Sequence, residues 1–149
     1  MIKSIELKIR ELNVSDRIPY NKPYVHERSK MDLAQVLESE KFSGDGPFSD
    51  RATAELSKIL NGSNVLLTHS CTAALEMAVL LTNICPGDEV IVPSYTFVST
   101  ANCVVQAGGV PVFVDVDPVS FSLSVSAVSE ALTSRTRAII VVHYGGSCG

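Results

Sequence analysis

No apolar run in these 149 residues approaches the ~18–20 that a membrane-crossing helix needs. An excess of positive charge is also lacking, with 12 Lys and Arg against 16 Asp and Glu, a formal net charge of -4. The basic residues are scattered singly, so no stripe exists to neutralise nucleic-acid phosphates, and no nucleic acid or membrane partner is expected. None of the four cysteines (Cys71, Cys85, Cys103, Cys148) forms a C-x-x-C pair or has a histidine at ligand spacing, which excludes an ordinary zinc site. No Gly-x-Gly-x-x-Gly follows an apolar run, which disfavours a dinucleotide-binding domain. Residues 1–16 alternate charged with apolar side chains, unlike a signal peptide, so a cytoplasmic protein is expected. What remains is the composition of a globular chain, 46% apolar and 19% charged, long enough for a real core.

The chain is organised around residues 65–74, Val-Leu-Leu-Thr-His-Ser-Cys-Thr-Ala-Ala. Val65, Leu66 and Leu67 read as a buried strand, and a helix follows within about four residues. Such a turn aims the unpaired N–H groups of the helix's first turn at one point, at the positive end of its dipole. That point suits a phosphate. Ser70 and Thr72 add hydroxyl donors, and the small side chains let an anion approach the backbone. The competing reading is an ordinary turn with Ser70 or Thr72 as N-cap. Cys71 at this helix start is a candidate nucleophile, against the plainer reading of a small residue tolerated in a tight turn.

Elsewhere the pattern is regular. Residues 1–17 read as a charged extension and 18–23, with two prolines, as extended chain. Ser29 is placed to cap a helix carrying Met31, Ala34 and Leu37 at helical spacing. Residues 42–48 form a loop, and Phe48, Ala52, Leu56 and Ile59 mark a second helix closed by Asn61-Gly62. The apolar helix over 72–83 is expected to be buried nearly all round. Strands are expected at 89–92, 110–116 and 138–142, with helices at 97–107 and 125–132 between them. Unbroken apolar strands alternating with helices predict an α/β fold with a mostly parallel sheet covered on both faces. Ligands in such sheets bind beyond the carboxyl ends of the strands. That edge gathers residues 68–72, 94–97, 115–117 and the pair His143 and Tyr144. The fourth strand runs into a glycine-rich loop with no helix to return across its face, so the chain reads as cut.

Four groups of residues together carry a resemblance. Thr-His-Ser-Cys-Thr-Ala-Ala-Leu-Glu at 68–76 precedes Pro-Gly-Asp-Glu-Val-Ile-Val-Pro-Ser-Tyr-Thr-Phe-Val-Ser-Thr-Ala-Asn at 86–102. Phe-Val-Asp-Val-Asp-Pro at 113–118 and Val-Val-His-Tyr-Gly-Gly at 141–146 then follow in order. The set resembles the sugar aminotransferases of the DegT/DnrJ/EryC1/StrS family, over about residues 18–146. The resemblance implies the N-terminal part of the large domain of a fold-type I transferase dependent on pyridoxal 5'-phosphate (PLP). It implies transfer of an amino group, with glutamate as donor, to a nucleotide-linked 4-keto-6-deoxyhexose for surface polysaccharide, in a homodimer.

By the same resemblance, Ser70, Cys71 and Thr72 fall on the family's phosphate cradle and Phe97 on the aromatic that stacks against the pyridine ring. From the residues alone, Phe97 reads first as a core aromatic starting a helix. His143 and Tyr144 lie where the family's substrate loops gather, or else form a packed, hydrogen-bonded pair. Asp115 and Asp117 read as structural caps. The family's catalytic lysine, which forms the Schiff base, and its Asp-Ala-Ala carboxylate follow the strand matching 138–142. The lysines here (Lys3, Lys8, Lys22, Lys30, Lys41, Lys58) all precede the cradle and none matches. Two outcomes follow for the chain as given: a PLP-dependent transaminase by family, or a truncated, inactive, aggregation-prone fragment that retains at most phosphate binding. In the fold-type I sheet the strand at 65–68 is flanked by strands from later in the chain, so here it is expected to lack a ladder partner.

Overall fold

The computed structural model describes residues 19–148 and divides into two compact units, the described part of the first carrying two short helices. The assigned extension at 1–17 lies outside the described residues. Helix α1 (Glu27–Glu38) is capped not by Ser29 but by His26, whose Nδ1 accepts the Arg28 N–H at 3.1 Å. Imidazole at an extended backbone position reaches back as a Ser or Asp would. Helix α2 (Pro47–Ile59) opens on proline at its first turn, where the missing N–H costs nothing. It closes where expected: Asn61 and Gly62 take left-handed φ values of 55° and 82°, and Gly62 N–H donates to Ser57 O at 2.7 Å.

The second unit begins at Leu66 and contains the sheet. In order it comprises α3 (Cys71–Leu81), β1 (Glu89–Pro93), α4 (Ser99–Gln106), β2 (Val110–Val114), α5 (Val125–Ala131) and β3 (Thr136–Ile139). The three strands pair in parallel, in the order β2-β1-β3, with Ile91 opposite both Val112 and Ile139. Every residue of β1 is buried, as a central strand covered on both faces requires. Val90 and Val92 pack with Val79, Cys103 and Val104 in one core beneath α3 and α4. Ile91, fully buried, points by strand alternation to the opposite face, where α5 packs on β2.

The turn from α4 to β2 requires glycine twice. Gly108 sits at φ 86°, and a Cβ on Gly109 would lie 2.7 Å from Ile84 Cγ2 and 3.1 Å from Val104 Cγ1. Bare backbone there lets β2 lie against the core.

Two expectations are corrected. Residues 65–67 do not form a strand: Leu66 is 79% exposed, and no described strand stands beside them. A branched apolar run without a neighbour has nowhere to place its backbone donors and acceptors. Nor is α3 buried all round. Val79 is its buried residue, while Met77, Leu80 and Leu81 face outward, because among the described residues only the side toward the sheet and α4 meets a partner.

Candidate functional site

Helix α3 starts as its sequence dictates. Ser70, in extended conformation, caps it, its Oγ accepting the Ala73 N–H at 3.1 Å, and Ser70 O accepts the Ala74 N–H at 3.2 Å. The Cys71 and Thr72 amides stand at the first two helical positions, where no preceding turn offers a carbonyl. They are the donors that the helix leaves for something else. Thr68 Oγ1 donates to Ser70 O at 2.9 Å and so braces the turn from the other side.

A cavity of about 570 Å³ opens at this helix start. Cys71, Thr72 and Leu75 line it from α3, Thr96, Phe97, Ser99 and Thr100 from the loop into α4, and residues 140–144 from the chain after β3. Five of the six residues expected at a site, Cys71, Thr72, Phe97, His143 and Tyr144, thus meet here. Ser70 stands behind them as the cap and does not line the cavity. Phe97 is 72% exposed, so it does not serve as a core aromatic. Thr96 and Thr100 share a hydroxyl–hydroxyl bond of 2.8 Å that fixes the loop carrying Phe97.

The arrangement combines amide donors at a helix N-terminus with an apolar wall of Leu75, Ile140 and Val142 and an aromatic ring. Its volume is within the range of about 300–1,000 Å³ common for small-ligand sites. A flat, singly ringed phosphate ester fits that donor set: anion to the amides, ring to the apolar side. Among the described residues, no cluster of His, Cys, Asp and Glu is arranged to hold a metal, and no lysine lines the cavity.

Asp115 and Asp117 act structurally. Asp115 Oδ1 accepts the Ser94 hydroxyl at 3.2 Å, tying the ends of β1 and β2. Asp117 Oδ1 accepts the Ser120 and Val119 N–H groups at 2.8 and 3.0 Å, and these bonds, Ser120's first, hold its carboxyl below the usual range. Cys103 is buried in the core, and burial pushes its thiol up. Among the described residues, no helix is long and apolar enough to cross a membrane.

Two groups escaped the sequence reading. Tyr95, Phe121 and Tyr144 form an aromatic cluster beside the cavity, with ring centroids 4.8–5.9 Å apart. At the opposite end of β1, buried Glu89 is bonded by Thr133 and Arg135. A lone acid opening an apolar strand is the one signal that could have marked Glu89.

A parallel sheet with a donor-bearing helix start at its carboxyl edge is shared with solved aminotransferases, some of them in PLP or PMP form. The aminotransferase TlmJ from Streptoalloteichus hindustanus superposes with a TM-score of 0.80 at 34% identity, over 87% of this chain and 36% of that one. A sugar aminotransferase, Spr1654 from Streptococcus pneumoniae, solved in PLP and PMP forms, gives 0.78 at 29% identity over 89% and 33%. The chain belongs to the DegT/DnrJ/EryC1/StrS aminotransferase family, whose sequence profile matches residues 23–149. The spore coat polysaccharide biosynthesis protein SpsC of Bacillus subtilis (strain 168) is 36% identical over 132 residues, 88% of this chain. The chain spans about a third of the length of these relatives.

Proposed function

We propose that this chain is the cofactor-seating part of a PLP-dependent sugar aminotransferase. The substrate we assign is a nucleotide-linked 4-keto-6-deoxyhexose, with glutamate as amino donor and surface polysaccharide as destination. Residues 18–23 and the Gly44-Asp45-Gly46 loop favour dTDP-4-amino-4,6-dideoxygalactose transaminase as the type of activity, in a homodimer in the cytoplasm. The polysaccharide role named for SpsC and the PLP and PMP forms of Spr1654 support the class.

The observation that carries the reading is the meeting of Cys71 and Thr72, at the start of α3, with Phe97 and the 143–144 pair on one cavity. When bound, PLP supplies an electron sink for breaking and making bonds at the amino-bearing carbon. The chain's own part is to seat and orient it. The two amides and the Thr72 hydroxyl take the phosphate, and the Ser70 hydroxyl caps the helix that presents them. Phe97 flanks the ring, Leu75, Ile140 and Val142 exclude water, and His143 and Tyr144 bound the side open to substrate.

Titration of the protein with PLP, followed by the cofactor's absorbance, tests this. Thr72→Val is expected to raise the dissociation constant about tenfold, the loss of one hydrogen bond to a charged group. Phe97→Ala is expected to raise it about fivefold through lost ring contact. Equal affinity for PLP and for pyridoxal, which lacks the phosphate, would overturn the reading.

The position of the lysines favours a second reading for the polypeptide as it stands: binding without turnover. Borohydride treatment of the protein with PLP then leaves no covalently held cofactor, whereas a stable label would show that a lysine reaches the cavity.

A further inference from the structure

Tyr95 does not line the cavity, yet it holds a residue that does. Its hydroxyl and that of Tyr144 lie 3.2 Å apart in a hydrogen bond, and the two rings pack at 4.8 Å and 52°. Phe121 wedges against both, at 5.4 and 5.9 Å. It does so from a left-handed backbone position, φ 56°, that an aromatic residue adopts only where its surroundings impose it. Those surroundings are explicit. Phe121 N–H donates to Asp117 O at 2.8 Å, Asp117 N–H to Ser122 O at 3.0 Å, and Val116 bridges Leu123. Buried Ser122 then donates its hydroxyl to Ser147 O at 3.4 Å.

The turn at 143–147 is therefore gripped at both ends, Tyr144 by Tyr95 and Phe121, Ser147 by Ser122. Between the grips are Gly145 and Gly146, at φ 61° and 83°, where an added Cβ would meet nothing within 4 Å. The space around the glycines is open, and the grips on either side of them hold the turn in place. His143 is the residue immediately before the first grip and, with Tyr144, lines the cavity.

We infer that Tyr95 is a positioning residue, whose hydroxyl holds Tyr144, and with it His143, on the cavity rim where a bound ligand meets them. This rests on the cavity's being a ligand site, as proposed above.

The test uses Tyr95→Phe, which keeps the ring and removes the hydroxyl. Three readouts are taken on the whole chain: amide hydrogen exchange at Gly146 and Ser147, PLP affinity, and inorganic phosphate affinity. Gly146 donates to His143 O and Ser147 to Tyr144 O, each at 3.1 Å, so their amides report the turn itself. Expected are an unchanged melting temperature, about fivefold faster exchange at both amides, and about fivefold weaker PLP binding, the size of one hydrogen bond. Phosphate alone, seated at α3, binds as before. In a Tyr144→Phe background the substitution has no further effect, because the hydroxyl acts only through its partner.

Unchanged exchange at Gly146 and Ser147 overturns the inference, as does equal weakening of PLP and phosphate or an added loss in the Tyr144→Phe background. Should the unsubstituted chain bind no PLP, the proposed function fails. The exchange rates, with and without Tyr144→Phe, then decide by themselves whether Tyr95 holds the turn.

Discussion

Glu89 and Arg135 pair twice across the amino-terminal ends of β1 and β3. The guanidinium holds the Glu89 carboxylate, Nε at 2.9 Å from Oε1, while the Glu89 N–H donates to the Arg135 carbonyl, also at 2.9 Å. Side chain and backbone thus pin Glu89 beside the start of β3, ahead of the register shift between Glu89 and Val90. Beside them Arg137 Nε lies 3.3 Å from Asp88 Oδ1, a second link at the same end. This clamp is at the edge of the sheet opposite the cavity.

The Thr133 hydroxyl and Arg135 hold the Glu89 carboxyl below its ordinary range. A group whose folded value is depressed adds stability above its unfolded value and loses it as pH falls through the folded one. Glu89→Gln is therefore expected to lower the urea midpoint at neutral pH. The gap from the unsubstituted protein closes on acidification through the carboxylate range. Urea unfolding at a series of pH values checks this; a gap that does not change with pH would contradict it.

Gly109→Ala is expected to destabilise by about 1–3 kcal/mol, because the new methyl meets Ile84 and Val104 in a packed core. Gly108→Ala acts differently, through the left-handed backbone rather than contact, and costs about 1 kcal/mol. Thermal unfolding of the two variants separates the mechanisms: trimming Ile84 to alanine relieves the first and not the second.

Ser70→Ala removes the α3 cap and is expected to cost about 1 kcal/mol. Phosphate affinity falls as well, since the start of the helix frays where the Cys71 and Thr72 amides must be held. Ser70→Asn, which caps nearly as well, restores the stability. Chemical unfolding measures one loss and phosphate titration the other.

Much of this was legible in the residues. The strands over 89–93 and 110–114 follow from unbroken apolar runs between glycine-bearing turns, and the helices from their 3.6-residue spacing. The convergence of Thr72, Phe97, His143 and Tyr144 follows from the parallel sheet, which sends each βα connection to the same edge. Residues 65–67 misled because strand propensity is no substitute for a neighbouring strand. The Tyr95–Phe121–Tyr144 cluster left no periodic mark, since Phe121 reaches it from a left-handed turn built by Asp117. The ion pair of Glu89 was hidden likewise, by 46 residues of separation from Arg135.

The most direct test of the central claim is the amide NMR spectrum of the ¹⁵N-labelled protein during titration with PLP and, separately, with pyridoxal. The account predicts that the Cys71 and Thr72 N–H resonances move furthest, and move with PLP but not with pyridoxal. Shifts centred on another part of the chain, or the same shifts with both compounds, would contradict it.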